Sequence, residues 1–262
     1  MLIGKVIYKN RKFNVLFDQK EEKVYEILSP IEEVLKNHEE IDLDPIGIEI
    51  EKVKIDIPIT PTKIACVGRN YSEHAKELGN EVPEEPIIFL KPPSSLLPHK
   101  GKIIYPSLSN HVDFEGELAL VIRRKIKGEK AEDIAQWPED YYAWTSFLDI
   151  TARDLQKKDR LWTRAKGFDT FGPLGPWIDL TTQVKNLSIQ TFVNGELKQN
   201  SNTKKMIFPP ERIIEYVSEV MTLEPGDIIA TGTPEGVGKI NLGDIVSLKI
   251  GELPKLEVNV GK

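Results

Sequence analysis

Residues 111 to 122 read HVDFEGELALVI, an apolar strand-like run that opens with three carboxylates, two of them spaced as Glu-Gly-Glu. Successive side chains of a β-strand point to opposite faces. Glu115, Glu117, Ala119 and Val121 therefore share one face, and Gly116, Leu118, Leu120 and Ile122 the other. Both faces carry core-type residues, which places the strand inside a packed sheet. A lone carboxylate is costly there, and two on one face also repel each other. A positive partner has to lie between them: Arg or Lys from elsewhere in the chain, or a metal ion. Asp149, in TSFLDITARDLQ, closes a second apolar run just before a helix-like stretch, where element ends commonly deliver functional side chains. Together the three make an oxygen-only set that suits a hard divalent cation, Mg²⁺ or Mn²⁺ and also Ca²⁺, rather than zinc or copper. The plainer alternatives are a pair of surface acids at a strand end and an Asp that caps a helix.

Other groups with chemical potential surround these motifs. His74, in YSEHAKEL, precedes Glu77 by three residues, so on a helix both project from one face and the carboxylate can orient the imidazole. Arg153 and Gln156 follow Asp149 by four and seven residues and share a helical face. Arg153 could instead pair with Asp149 and leave no room for a metal. The Gly-rich TGTPEGVGK fails as a phosphate loop: five residues separate Gly232 from Gly238, and Ile240 follows Lys239 where Ser or Thr is required. Cys66, the one cysteine, excludes an intramolecular disulfide and a thiolate zinc site, and its apolar neighbours read as core packing. His111 lies near the acidic strand in a loop.

The elements that must position these groups are mostly strands. Residues 1 to 57 hold the runs LIGKVIY, KFNVLFD and KVYEILS, a helix-like SPIEEVLKNHEE, and KVKIDIPI, which together read as a small α+β domain. IPITPTK punctuates the chain as a linker, and residues 58 to 262 form the larger domain. There, short strands (KIACVG, PIIFLKP, IIYP, GELALVIRRKI, SIQTFVNGEL, DIIATG, DIVSLKI, KLEVNV) alternate with Gly- and Pro-containing turns. VNGE reads as a type I′ hairpin. Helices are few: YSEHAKEL, ITARDLQKKDR behind a Thr positioned to cap it, and PPERIIEYVSEVM with Pro at its start. The fold class is α+β and mostly β, with short helices on the margin.

Composition narrows the partners. Hydrophobic residues make up 40% and charged residues 29% of 262, with a net charge of −6 and no basic stripe, which argues against nucleic acid. No stretch reaches the apolar length of a membrane span, and the N-terminus lacks the features of a signal peptide, so a cytoplasmic location is expected.

Six motifs occur in order: GRNYSEHAKE, FLKP, DFEGELALVI, DITARDLQ, AKGFDTFGPLGP and GDIIATGTPEGVG. Together they resemble the fumarylacetoacetate hydrolase family over roughly residues 60 to 262, in the branch of 2-hydroxyhepta-2,4-diene-1,7-dioate isomerases and acylpyruvate hydrolases. The resemblance implies the family's mixed β-sandwich or roll and Mg²⁺ or Mn²⁺ held by Glu115, Glu117 and Asp149. It implies His74 with Glu77 as the pair that activates water or moves a proton, and Lys166 as a catalytic cation near the developing oxyanion. Arg153, Gln156, Lys166 and Thr233 become substrate ligands. The reaction expected is metal-dependent hydrolysis of a C–C bond in a 2-oxo diacid or acylpyruvate. Isomerisation or decarboxylation of a 2-hydroxy-dienoic diacid or of oxaloacetate is the alternative. A noncatalytic carboxylate-binding protein on the same scaffold is a second one. A homodimer is also implied.

Overall fold

The computed structural model describes residues 1–39, 41–77, 79, 81–181 and 184–262. Glu40 and Leu78, the last residues of two helices expected from sequence, lie outside the described residues. Runs of β-branched and aromatic residues build a sheet of eleven strands. At its centre Gly116–Ile122 and Tyr142–Leu148, buried throughout, pair antiparallel from Gly116 opposite Leu148 to Ile122 opposite Tyr142. One flank carries Ile228–Ala230, then Ile64–Gly68 parallel to it, then Ile87–Lys91. On the other flank Ile178–Asp179 leads to Leu2–Tyr8, Arg11–Asp18, Lys23–Glu26 and Ile48–Glu49. The N-terminal strands thus extend the large sheet, and Phe17 stacks on Trp177 with ring centroids 4.5 Å apart. At the end of the Pro-rich connection Thr62 N and Oγ1 donate to Asp227 Oδ1 at 2.9 and 2.6 Å, and Lys63 forms an ion pair with the same buried carboxylate.

A second sheet of five strands runs Glu196–Asn202, Ser188–Val193, Ile245–Ile250, Leu256–Gly261, Lys102–Ile104. Asn194 and Gly195 at its hairpin tip both have positive φ, 52° and 81°, as a type I′ turn requires. The two sheets meet at Gly116, where an added Cβ would lie 2.1 Å from Thr191 Oγ1. This contact explains the glycine between the two glutamates: the carboxylates face one way only because nothing projects the other. The helices are short and peripheral, Ser72–Glu77, Arg153–Asp159 and Pro210–Val220 among them.

Two local expectations change. DFEGELALVI is not one strand but breaks at Glu115. Val112–Phe114 joins a small sheet with Thr151–Ala152 and Gly238–Lys239, while Gly116–Ile122 enters the large one. Thr151 does not cap the following helix, because it is paired in that small sheet; its hydroxyl donates to Asp149 O at 3.1 Å and Ala152 holds the cap position.

Candidate active site

Glu115 stands at the junction of the two sheets, Glu117 one residue inside the central strand, and Asp149 just past the end of the strand beside it. Asp149 N donates to Glu115 O at 2.9 Å, which locks the two segments together. One carboxylate oxygen of each of Glu115, Glu117 and Asp149 lies within 4.8 Å of the others, and all three residues are buried. The plain reading of surface acids at a strand end is thereby set aside.

Cations crowd this cluster. Lys166 Nζ donates to Glu115 Oε2 at 2.9 Å and to Asp149 Oδ2 at 2.5 Å, and Lys91 Nζ donates to Asp149 Oδ1 at 2.6 Å. Arg153 spends its whole fork: Nη2 on Glu115 Oε1 at 2.5 Å, Nε on Asp113 Oδ2 at 2.8 Å, Nη1 on Gln156 Oε1 at 2.8 Å. Among the described residues, Arg153 pairs with Asp113 and Glu115 and not with Asp149, whose partners are the two lysines. Glu117 has no cationic partner among them; Oε2 accepts a hydrogen bond from Gly232 N at 2.9 Å.

The protonation states follow from these neighbours. Burial pushes the Glu115 carboxyl up, but Lys166 and Arg153 outweigh it and hold the group far below the usual carboxylate range. For Glu117, burial and the charges of Asp149 and Glu115 act together and raise it well above that range. Burial lowers Lys91 despite Asp149, whereas Asp149 and Glu115 overcome burial at Lys166 and raise it. Four carboxylates (Asp113, Glu115, Glu117, Asp149) face three cations, and the surplus negative charge centres on Glu117. An oxygen-only donor set with one uncompensated charge fits a hard divalent cation, with Glu115, Glu117 and Asp149 as its holders.

The cluster floors a cavity of about 290 Å³ that His74, Gln156 and Thr233 also line. His74 Nδ1 lies 3.4 Å from Glu77 Oε2, and both Glu77 oxygens accept from Gly236 N at 3.2 Å, so the carboxylate ties the helix to the glycine-rich turn. Thr233 Oγ1 donates to Gly116 O at 2.9 Å and accepts from Gln199 Nε2 at 2.8 Å, which commits its proton within the protein. Lys166 is buried and not a surface lysine. His111 Nε2 lies 2.7 Å from Asp113 Oδ1, behind Arg153. Two residues of the site were given no role from sequence, Lys91 and Asp113. Asp113 continues the every-second-residue series of Glu115 and Glu117, and Lys91 is the cation in FLKP, so a signal was present for both.

Fold and site together define a carboxylate-floored cavity at the end of the central strands of the large sheet, walled in part by the helices Ser72–Glu77 and Arg153–Asp159. The family model described as fumarylacetoacetate (FAA) hydrolase C-terminal matches residues 63–261, and the chain belongs to this family of enzymes. It is 45% identical over 210 residues to a mitochondrial oxaloacetate tautomerase of Arabidopsis thaliana, covering 76% of this chain and 91% of that one. The crystal structure of 2-hydroxyhepta-2,4-diene-1,7-dioate isomerase from Mycobacterium marinum superposes with a TM-score of 0.88 at 35% identity, covering 100% of this chain and 98% of that one. Fumarylpyruvate hydrolase from Pseudomonas aeruginosa, solved in complex with Mn²⁺ and pyruvate, superposes with a TM-score of 0.72 at 32% identity, covering 79% and 92%. Among the described residues no helix is long and apolar enough to cross a membrane.

Proposed function

We propose that the chain is a divalent-metal-dependent hydrolase of a C–C bond in a 2-oxo diacid or acylpyruvate, with Mg²⁺ or Mn²⁺ held by Glu115, Glu117 and Asp149. One observation carries this: His74, with Glu77 beside its Nδ1, opens on the same cavity as the three-carboxylate cluster. When bound, the cation supplies Lewis-acid polarisation of the 2-oxo acid end of the substrate. His74, oriented by Glu77, takes a proton from a water that adds to the distal carbonyl carbon. The adjacent C–C bond then breaks, its electron pair passes to the 2-oxo acid fragment as an enolate, and the proton returns to that carbon. Lys166 and Arg153 hold the ligand carboxylates in place and keep positive charge beside the developing oxyanion. Gln156 and Thr233 line the wall where the substrate carboxylate docks.

A second reading, isomerisation or decarboxylation of a 2-oxo diacid, is favoured by the names of the Arabidopsis and M. marinum relatives. Such chemistry needs the polarising cation but no activated water. Family membership leaves no reason to retain the noncatalytic alternative. His74→Ala separates hydrolysis from decarboxylation, which needs no protein base, whereas isomerisation moves a proton and loses rate with hydrolysis. A hydrolase should lose roughly 10²- to 10⁴-fold in turnover of acylpyruvates, with metal affinity nearly unchanged. A rate on acylpyruvates equal to wild type would remove His74 from the mechanism; a retained rate on oxaloacetate alone would favour the second reading. The chain is also proposed to form a homodimer, as the resemblance to the family implies and as sheet edges that need covering support. Light scattering that gives the mass of one chain at micromolar concentration contradicts this.

A further inference from the structure

Arg153, Lys91 and Lys166 are committed to carboxylates, yet the cavity is lined by three further cations, Arg69, Lys157 and Arg160. None of these three makes an ion pair or a side-chain hydrogen bond among the described residues, in contrast to the cations on the floor. Arg69 is half-buried and Lys157 and Arg160 are exposed, which places them toward the mouth, whereas the acid cluster is buried. Arg69 and Arg160 also hold left-handed backbone, with φ of 59° and 60°, Arg160 as the C-cap of the helix Arg153–Asp159. Glycine or asparagine fills such positions at lower cost, so the backbone alone gives no reason for arginine at either. Between floor and mouth the wall is apolar. Val67, Phe89 and Trp162 line it, the last two edge to face with ring centroids 4.9 Å apart. Gly68 makes room for this wall, since a Cβ there would lie 2.8 Å from the Trp162 ring.

We propose that Arg69 and Arg160, flanked by Lys157, form a subsite for the second carboxylate of a 2-oxo diacid. The middle carbons of that diacid lie against Val67, Phe89 and Trp162. The proposal rests on the 2-oxo acid reading above and adds to it both the charge and the reach of the substrate. A monoacid leaves the mouth cations without a partner, and a diacid too short to cross the apolar waist does the same.

Calorimetry on the full-length protein in Mn²⁺ tests this with 2-oxoadipate and 2-oxohexanoate, which differ only in the distal carboxylate and lack the bond that a C–C hydrolase cleaves. Wild type should bind 2-oxoadipate tighter by roughly 10- to 100-fold, the range of charge-assisted hydrogen bonds, and R69Q/R160Q should bring the ratio close to one. Equal affinities in wild type overturn the subsite without any variant, as does no binding of 2-oxoadipate. A double variant that weakens both probes alike overturns it too. If the ratio appears but no 2-oxo acid is turned over, the subsite stands and the hydrolase reading falls. If fumarylpyruvate and acetylpyruvate are hydrolysed with equal kcat/KM, the reading stands and the subsite falls.

Discussion

Glu117 is the residue on which the charge balance of the cavity turns. Its neighbours Glu115 and Asp149 are neutralised by Lys166, Arg153 and Lys91, while Glu117 keeps one backbone N–H and the repulsion of two acids. Its raised pKa means that a cation must displace a proton to bind there. The apparent affinity for Mn²⁺ should therefore climb with pH and fall as pH drops through that raised value, with proton release seen as calorimetric heats that depend on the buffer. Glu117→Gln keeps an acceptor for Gly232 N but removes the charge. It should weaken Mn²⁺ more than roughly tenfold, since even groups that only support ligands cost that much. The metal-free variant should melt no lower than wild type at neutral pH, because a folded-state pKa raised above the ordinary 4.5 subtracts stability as pH rises past it. Unchanged Mn²⁺ uptake in the variant contradicts this role. The acids were legible in the sequence because strand alternation puts them on one face. Their cations were less so. Lys91 and Lys166 lie 58 and 17 residues from Asp149 along the chain; the order of strands in the large sheet brings Lys91 to it, and the short helix Thr163–Lys166 brings Lys166. A lysine at the end of a strand or of a short helix carries no mark that distinguishes a buried partner from a solvated one.

At the scale of elements, the site depends on one close approach. The central strand and the strand Ser188–Val193 touch where Gly116 faces Thr191, and Gly116 N and O are both held, by Gln199 Oε1 at 2.9 Å and by Thr233 Oγ1 at 2.9 Å. Gly116→Ala drives a methyl into Thr191 Oγ1 and must part the sheets on the side opposite the carboxylates. The cost expected is about 1–3 kcal/mol of overpacking, read as a lower urea midpoint, and Thr191→Ala should restore part of it. A Gly116→Ala protein as stable as wild type would mean that the sheets do not meet there. Core strands such as Gly116–Ile122 and the Asn194-Gly195 hairpin follow from local pattern. The break at Glu115 does not, because the alternation of residues 112 to 122 runs unbroken through it. Which sheet each half joins is decided by distant partners, Thr151–Ala152 for one and Tyr142–Leu148 for the other. The missing Thr151 cap has the same origin: a long-range strand pairing took the residue that local sequence offered to the helix.

Over the whole molecule, the prolines of IPITPTK mark a change of segment, yet the strands on its two sides share one sheet through Leu2–Tyr8 and Ile178–Asp179. A second tie joins the N-terminal part to the rest. Buried Arg123 donates to the carbonyls of Leu35 and Glu139 and, through Nη2, lies 2.8 Å from His38 Nδ1. A guanidinium can only donate, so His38 must accept, and that nitrogen has to be unprotonated. His99 Nδ1 likewise accepts from Glu257 N at 3.1 Å. Burial lowers both imidazoles below the ordinary 6.5, with Arg123 adding to the effect at His38 and Lys100 at His99. The unfolded chain then takes up protons before the folded one does. Stability from these groups is complete above the unfolded value and is lost as pH falls through the lowered folded values. Glu115 acts in a separate window, contributing above its ordinary 4.5 and losing that contribution only below it. Glu117, raised well above 4.5, instead gains stability as pH falls and opposes the histidines, so the comparison is made in Glu117→Gln protein. Thermal melts between pH 8 and 5 should show a midpoint that holds above the ordinary histidine value and declines beneath it. In His38→Gln/His99→Asn, where amide oxygens replace the accepting nitrogens, the decline should flatten. A midpoint constant down to pH 5 in the Glu117→Gln background, or the same slope after the histidine changes, would show that neither imidazole is held neutral by the fold and that the tie through Arg123 does not depend on proton state.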